Sequence, residues 1–300
     1  MFIKNLQISF ILFSLASYAC IAYADKTDPI HLSTRNNVQG MVFAENHSIY
    51  TLEHPSGKKE ASIYVNHEKL RKKLLSDENI GHQGFGIQEG MGGGKKHIWS
   101  SDRNSPYAAL LFMFNANKIA SKRRVLLFDD SFFDKNETMP TISSDNRFLI
   151  ARGRISFRKM VIRVYDLNKV NEEVLHSKKS TIDLTGKYIY QWQLPVSIFT
   201  ENKNTFSPLQ AMASDGNKVI FLLGDARLNA KSIYSFSLNG QLIYKDTKVN
   251  VGLQELKNDL NTTTYEPEGI SIIEHNKVRI LFLIGSHKSF QTLIYDYYLH

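Results

Sequence analysis

Three stretches of this chain share one phrase: "YEPEGISII" at Tyr265–Ile273, "NVQGMVF" at Asn37–Phe43 and "HQGFGIQ" at His82–Gln88. Each begins with a polar, carboxamide or carboxylate residue, passes through glycine and runs on into alternating apolar residues. That order reads as a turn feeding a half-buried strand. Two degenerate copies, "MPTISSD" and "LQAMASD", extend the series. Taking Gly40, Gly84, Thr141, Ala211 and Gly269 as anchors, the spacings are 44, 57, 70 and 58 residues.

Each anchor is followed by a second apolar strand: "SIYTLEH", "HIWSSD", "RFLIARG", "KVIFLLGD" and "VRILFLIG". A third alternating strand comes next: "ASIYVNH", "AALLFMF", "MVIRVYDL", "SIYSFSL" and "TLIYDYYL". Fourth strands are visible as "RVLLFD", "GQLIYKD" and, in the long third unit, "GKYIYQWQLP" around Gly186–Pro195. Four antiparallel strands repeated five times, in about 55 residues each, predict an all-β five-bladed β-propeller, whose radial repetition leaves only short edges. The fifth unit runs out of chain before its fourth strand. The unclaimed segment "DPIHLST" therefore predicts a strand that pairs onto the last blade and closes the ring. Helix is sparse; "HEKLRKKLLSDEN" is the best candidate and "LQELKNDL" offers a second short turn or helix. In a propeller the first strand of each blade lines the channel, where backbones crowd. Glycine or alanine at its start is therefore read as structural.

The first residues, "MFIKNLQISFILFSLASYACIAYA", carry one charge at Lys4, an apolar run and Ala22-Tyr23-Ala24 before Asp25. They read as a signal peptide over 1–24, ahead of a single propeller domain over 25–300, and predict a secreted or periplasmic protein. A lipidated Cys20 is the weaker reading, because Ser17 stands where such a signal wants leucine. A cut after Ala24 leaves 276 residues, takes away Lys4 and lowers the formal net charge from +8 to +7. It also removes Cys20, the only cysteine, so the mature chain holds no disulfide, thiolate nucleophile or cysteine-ligated metal. "VRILFLIG" falls short of the roughly 18–20 apolar residues of a membrane helix, and no membrane span is expected. The basic residues are scattered through "SGKK", "LRKKLL", "GGKK", "SKRR", "RGRISFRK" and "HSKK". They fit a solvated surface or attraction to a polyanion. Nothing resembles a nucleic-acid-binding module.

Loops entering the first strand and leaving the second emerge on one face of a propeller. That geometry gathers Gln39 with His54, His82 and Gln83 with Asp102 and Arg103, Arg152 with Arg154, Gln210 with Asp225 and Arg227, and Glu266 and Glu268 with His287 around the channel mouth. Such a set describes a polar binding pocket on a rigid scaffold. The matching positions of Gln39, Gln83, Gln210 and Glu268 fit equally well a ring of amides bonded between blades. Arginines favour an anion. Glu266, Glu268 and His82 would serve acid–base chemistry or an oxygen-rich calcium site in a hydrolase. "EGMGGGKKH" lacks the glycine, the Ser/Thr and the helix of a phosphate loop and reads as a flexible hairpin. No zincin, serine-hydrolase or dinucleotide motif is present.

On "QGMVFA", "HQGFGIQEG", "MPTISSDNRFLIARG", "LQAMASDGNKVIFLLGD" and "EPEGISII", nearly the whole mature chain resembles a family of secreted five-bladed propellers. That family includes teichoic-acid-biosynthesis protein C-like proteins, helveticin-J-like bacteriocins and the propeller head of certain phage receptor-binding proteins. The third unit departs from it, with "MPTIS" in place of Gln-Gly. The resemblance implies a recognition or bacteriocin-like protein, a monomer without an obligate cofactor, that binds an anionic carbohydrate or cell-envelope polymer at the mouth. Arg103, Arg152 and Arg227 would meet the anion, and Gln83, Gln210 and Trp99 the sugar. The alternative is an exported hydrolase using the same mouth, with Glu266 or Glu268 as base or metal ligand and His82 as acid.

Overall fold

The computed structural model describes residues 28–299 except 35, 45–46, 68–69, 90–94, 117, 130–137, 157–158, 201–205, 254–255, 257–261 and 287–288. The expected signal peptide with Cys20, the glycine-rich run of "EGMGGGKKH", His287 and most of "LQELKNDL" lie outside the described residues.

The chain opens with β1 (Ile30–Leu32) and then builds blade 1 from β2 (Asn37–Phe43), β3 (Ile49–His54), β4 (Ala61–His67) and β5 (Leu70–Asp77). Blade 2 is β6 (Ile80–Gln88), β7 (Lys96–Asp102), β8 (Ala108–Asn115) and β9 (Lys118–Leu126). Blade 3 begins with β10 (Met139–Ile142), β11 (Phe148–Ser156) and β12 (Lys159–Asp166). An excursion follows, through α1 (Leu167–His176) and β13 (Thr181–Asp183), before β14 (Tyr190–Gln193) supplies the fourth strand. Blade 4 is β15 (Leu209–Ser214), β16 (Lys218–Leu223), β17 (Lys231–Ser237) and β18 (Leu242–Val249). Blade 5 is β19 (Thr264–Glu274), β20 (Lys277–Ser286) and β21 (Ser289–Tyr298), and β1 completes it. The pairing of Ile30 with Ile294 and Leu32 with Thr292 is the expected closure of the ring by the N-terminal strand.

Two local expectations are corrected. "HEKLRKKLLSDEN" is not a helix but contains β5, paired with β4 from Ala61–Asp77 to His67–Leu70. Its charges suit an outer strand: Arg71, Lys72 and Lys73 are exposed at the rim, where cationic side chains discourage edge-to-edge pairing. The described helix is α1. Asp166 caps it by accepting from the backbone N–H of Asn168 and Lys169, and Leu167, Val170 and Val174 bury its inner face. Arg123 donates to the carbonyls of Val174 and Ser177 at its C-terminal end. The excursion then lays β13 parallel to β9, which gives blade 2 a fifth strand.

Both faces of most blades are buried, so each blade boundary carries its own apolar cluster. Ile98, Leu110 and Phe112 pack against Leu52 and Ile63 between blades 1 and 2. Trp99, Leu149 and Tyr165 fill the boundary of blades 2 and 3, and Ile162, Phe221 and Phe236 that of blades 3 and 4. Ile220, Leu222, Ile280 and Phe282 pack between blades 4 and 5. Among the described residues the closing boundary between blades 5 and 1 has the smallest cluster, with Val38, Met41, Ile49, Leu281 and Ile294 as its buried members. At the channel the inner strands crowd as expected. A Cβ on Gly269 would lie 2.9 Å from the backbone nitrogen of Met41. Gly84 adopts φ +80° with Met139 Cα at 2.8 Å from such a Cβ.

Candidate functional site

The recurring polar residues stand out because their strands bulge. The ladder between inner and second strand slips between Val38 and Gly40, Ile80 and Phe85, Leu209 and Ala211, and Pro267 and Gly269. Gln39, Gln83, Gln210 and Glu268 sit in those slips. A bulge leaves a residue out of the ladder and re-aims its side chain. Here four blades use it to turn a polar group toward its neighbours. Blade 3 has Pro140 at the matching place and no bulge on β10.

The result is a hydrogen-bonded layer linking blades. Gln39 Nε2 donates to Glu268 Oε1 at 3.3 Å, and His82 Nδ1 lies 3.4 Å from Gln39 Oε1. Gln83 Nε2 donates to Gln210 Oε1 at 2.9 Å, which spans from blade 2 to blade 4 and bypasses the blade that lacks the carboxamide. Gln210 Nε2 in turn donates to Glu266 Oε1 at 3.2 Å. The amide and carboxylate series is thus a bonded layer between blades. It is not symmetric, for the reason the third repeat announced.

Burial sets its electrostatics. Glu268 is 3 % exposed, and burial together with the neighbouring Glu266 pushes its carboxyl well above the ordinary range. Burial also raises Glu266, against a hydrogen bond from Gln210 and the charge of Lys231. On the blade 1–2 side, His54 stacks on His82 at 4.4 Å between ring centroids. Burial, then the nearby His82 and Arg103, lowers the His54 imidazole to about 4, so it is neutral at pH 7. On the blade 4–5 side, Lys231 is 1 % exposed and donates to the carbonyls of Asp225 and Arg227 and to Asn229 Oδ1. Burial brings it down to about 8. It fixes the 225–229 loop beside Glu266, a role the sequence reading missed; an interior lysine six residues after Asp225 gave no periodic signal.

The remaining expected site residues divide by exposure. His82, Arg103 and Arg227 face solvent. Arg103 donates to the Lys59 carbonyl, and Arg227 is ion-paired with Asp225. Against the burial that raises it, hydrogen bonds from Arg227 hold the Asp225 carboxyl below its ordinary range. Trp99 is corrected: it is 0 % exposed inside the blade 2–3 cluster and offers no surface to a sugar. Arg152, 4 % exposed on β11, is likewise out of reach of a surface polymer. Asp102 is fully buried and accepts from Arg124 Nε at 2.6 Å, so it belongs to blade 2's own scaffold. Arg154 is half-buried near the end of β11 and donates to the Ser156 carbonyl. Among the described residues no three His, Cys, Asp or Glu side chains are grouped to hold a metal ion, and no helix is long and apolar enough to cross a membrane.

Five antiparallel blades, a closing N-terminal strand and a bonded polar layer at the channel mouth define a five-bladed β-propeller. Residues 38–288 match the model of the phage 5-bladed β-propeller receptor-binding platform domain, and the chain belongs to that family. Among solved structures it is similar to the tail fiber of Staphylococcus aureus phage P68, with a TM-score of 0.58 and 16 % identity, over 90 % of this chain and 52 % of that one. The chain thus spans about half the length of that fiber. TolB from Acinetobacter baumannii has a TM-score of 0.39 at 12 % identity, over 90 % of this chain and 57 % of that one. The β-propeller domain of the Trilobed protease from Pyrococcus furiosus also has 0.39, at 9 % identity over 88 % and 98 %. At these scores the last two add nothing to the assignment. No curated protein matches.

Proposed function

We propose that this chain is an exported recognition protein, bacteriocin-like in deployment, that engages an anionic glycan or polymer of a bacterial envelope at its channel mouth. Membership of a receptor-binding platform family supports a binding role. The observation that carries the choice of face is the bonded layer of Gln39, Gln83, Gln210, Glu266 and Glu268, with exposed His82 beside it on β6 and Arg103 and Arg227 in the loops leaving the second strands at the same end of the blades. The partly buried layer makes a rigid floor, and the guanidinium groups of Arg103 and Arg227 suit an anion. The hydrolase alternative draws less from the geometry, because Glu268 is buried and accepts from Gln39.

Binding of the purified chain to an array of anionic envelope polymers tests this. Arg103→Ala and Arg227→Ala should each weaken retention several-fold, and His82→Ala less, with the thermal transition unchanged. Binding indifferent to all three replacements would remove the mouth from the site.

A further inference from the structure

Outside its small apolar cluster, the boundary between blades 5 and 1 carries more polar side chains than the other four. Blade 1 turns Thr51, Glu53, Tyr64 and Asn66 toward it, and blade 5 turns Thr292 and the pair formed by Arg279 and Asp296. Two cavities lie along this seam, of about 750 and 420 Å³, and both are bounded by β1 and by Arg71. Each falls in the range of about 300–1,000 Å³ that small-molecule sites occupy. The two share β1 and Arg71 as walls, and together they make a grooved surface along the outer strands of the seam, built from residues other than those of the mouth layer.

The groove is organised from behind. Glu53, 1 % exposed, accepts from Thr34 Oγ1 at 2.8 Å, Asn36 Nδ2 at 2.9 Å and Arg71 Nη2 at 2.5 Å. One buried carboxylate thus fixes three donors of the wall, and Arg71 is held 3.6 Å above the Tyr64 ring. Five N–H groups on a guanidinium leave donors for a ligand after these contacts. On β1 and β21 the same cavity is lined by His31 and Gln291, both exposed, and by Phe290, 38 % exposed. Three cations here face two carboxylates, Arg71 pairing with Glu53 while Lys277 and Arg279 share Asp296 at 2.8 and 2.7 Å, which leaves a surplus of a single positive charge. The groove therefore carries little net charge. Planar hydrogen-bonding groups beside an aromatic face, without a field to attract a polyanion, match a chain of hydroxyls and C–H faces.

We infer that the blade 5–1 groove is a second binding site, distinct from the mouth, for an uncharged linear oligosaccharide. Arg71, His31 and Gln291 hydrogen-bond its hydroxyls, and Phe290 packs against a ring face. The site stands without the mouth reading, since it uses other residues and another ligand class.

The test is calorimetric titration of the full chain with three uncharged hexasaccharides: β-1,4-linked N-acetylglucosamine, β-1,4-linked glucose and α-1,4-linked glucose. At least one should bind, and Phe290→Ala and Gln291→Ala should each weaken it about tenfold. Both side chains are exposed, so neither change threatens folding; Arg71→Met would add a larger loss. Raising salt from about 0.1 M to about 1 M should leave the affinity unchanged, as should Arg103→Ala and Arg227→Ala. Failure of all three sugars to bind, binding indifferent to Phe290→Ala and Gln291→Ala, or binding lost with the mouth arginines would each overturn the proposal. Loss of anionic-polymer binding alone would count against the mouth and leave the groove standing.

Discussion

Leu281 and Phe282 are consecutive residues of β20, yet they belong to different kinds of interface. Phe282 points into the boundary with blade 4, stacked on Tyr265 at 4.3 Å, among eighteen buried apolar residues. Leu281 points to the closing seam, where five such residues are found among those described. The contrast shows how a ring closes without five equal cores. Four boundaries are held mainly by apolar burial. The fifth is held by the β1–β21 ladder and by the Glu53 network, which ties the segment after β1 to blade 1. With its backbone joined that way, the seam can give its outer part to polar chemistry.

The sharpest way to break this contrast is to truncate the two neighbours. Phe282→Ala should cost about 3–5 kcal/mol, because a fully buried ring leaves a cavity that its packed surroundings cannot fill. Leu281→Ala should cost about 2–3 kcal/mol, the lower part of the range for such changes, because the seam beside it is thinly packed and can relax. Chemical denaturation measures both. Equal losses would mean that the seam is as tightly packed as the boundary between blades 4 and 5.

Glu53→Gln comes next. It keeps the shape but removes the charge that Thr34, Asn36, Thr51 and Arg71 share, and about 1.5–3 kcal/mol should be lost, as for hydrogen bonds to charged groups. Limited proteolysis near residue 30 should accelerate in this variant if closure depends on the network. An unchanged cleavage rate would leave closure to the β1–β21 ladder alone.

The smallest effect concerns the mouth layer and pH. Glu268 titrates above the ordinary carboxylate range, so the stability linked to it is complete below about pH 4 and is lost as pH rises through its folded value. Glu268→Gln should therefore melt a few degrees higher than the parent at about pH 8 and the same at about pH 4. His54 acts with the opposite slope: its folded pKa is depressed to about 4 from 6.5, so its contribution is present above 6.5 and lost as pH falls through that window. Melting curves of His54→Gln against the parent should converge above pH 6.5 and separate below it.

The repeated phrase made the inner strands legible, but it lies within each strand and not in a turn before it: Gln39, Gln83, Gln210 and Glu268 occupy bulges, whose break in the ladder resembles a turn in the sequence. The closing strand was legible because a fifth blade with three strands needs a fourth. β5 misled because Leu70, Leu74 and Leu75 among cations mimic one helical face; only pairing with β4 shows that the cations line a rim. α1 hid behind the apolar run of β12, though Asp166 as cap and Val170 with Val174 at helical spacing were its signal. Trp99 was misplaced because blade strands are buried on both faces, so alternation along β7 does not separate inside from outside.

The sequence alone determined the number of blades, the closing strand and which residues crowd the channel, because these depend on local order: turns, strand periodicity and glycine where backbones meet. Only the tertiary structure decided that Gln83 reaches past blade 3 to Gln210, that Trp99 and Arg152 lie buried, and that the blade 5–1 seam is a polar groove. Those outcomes depend on which faces of strands far apart in the chain come to oppose one another. That is fixed by how five wedges close around one axis and is written in no single stretch of residues.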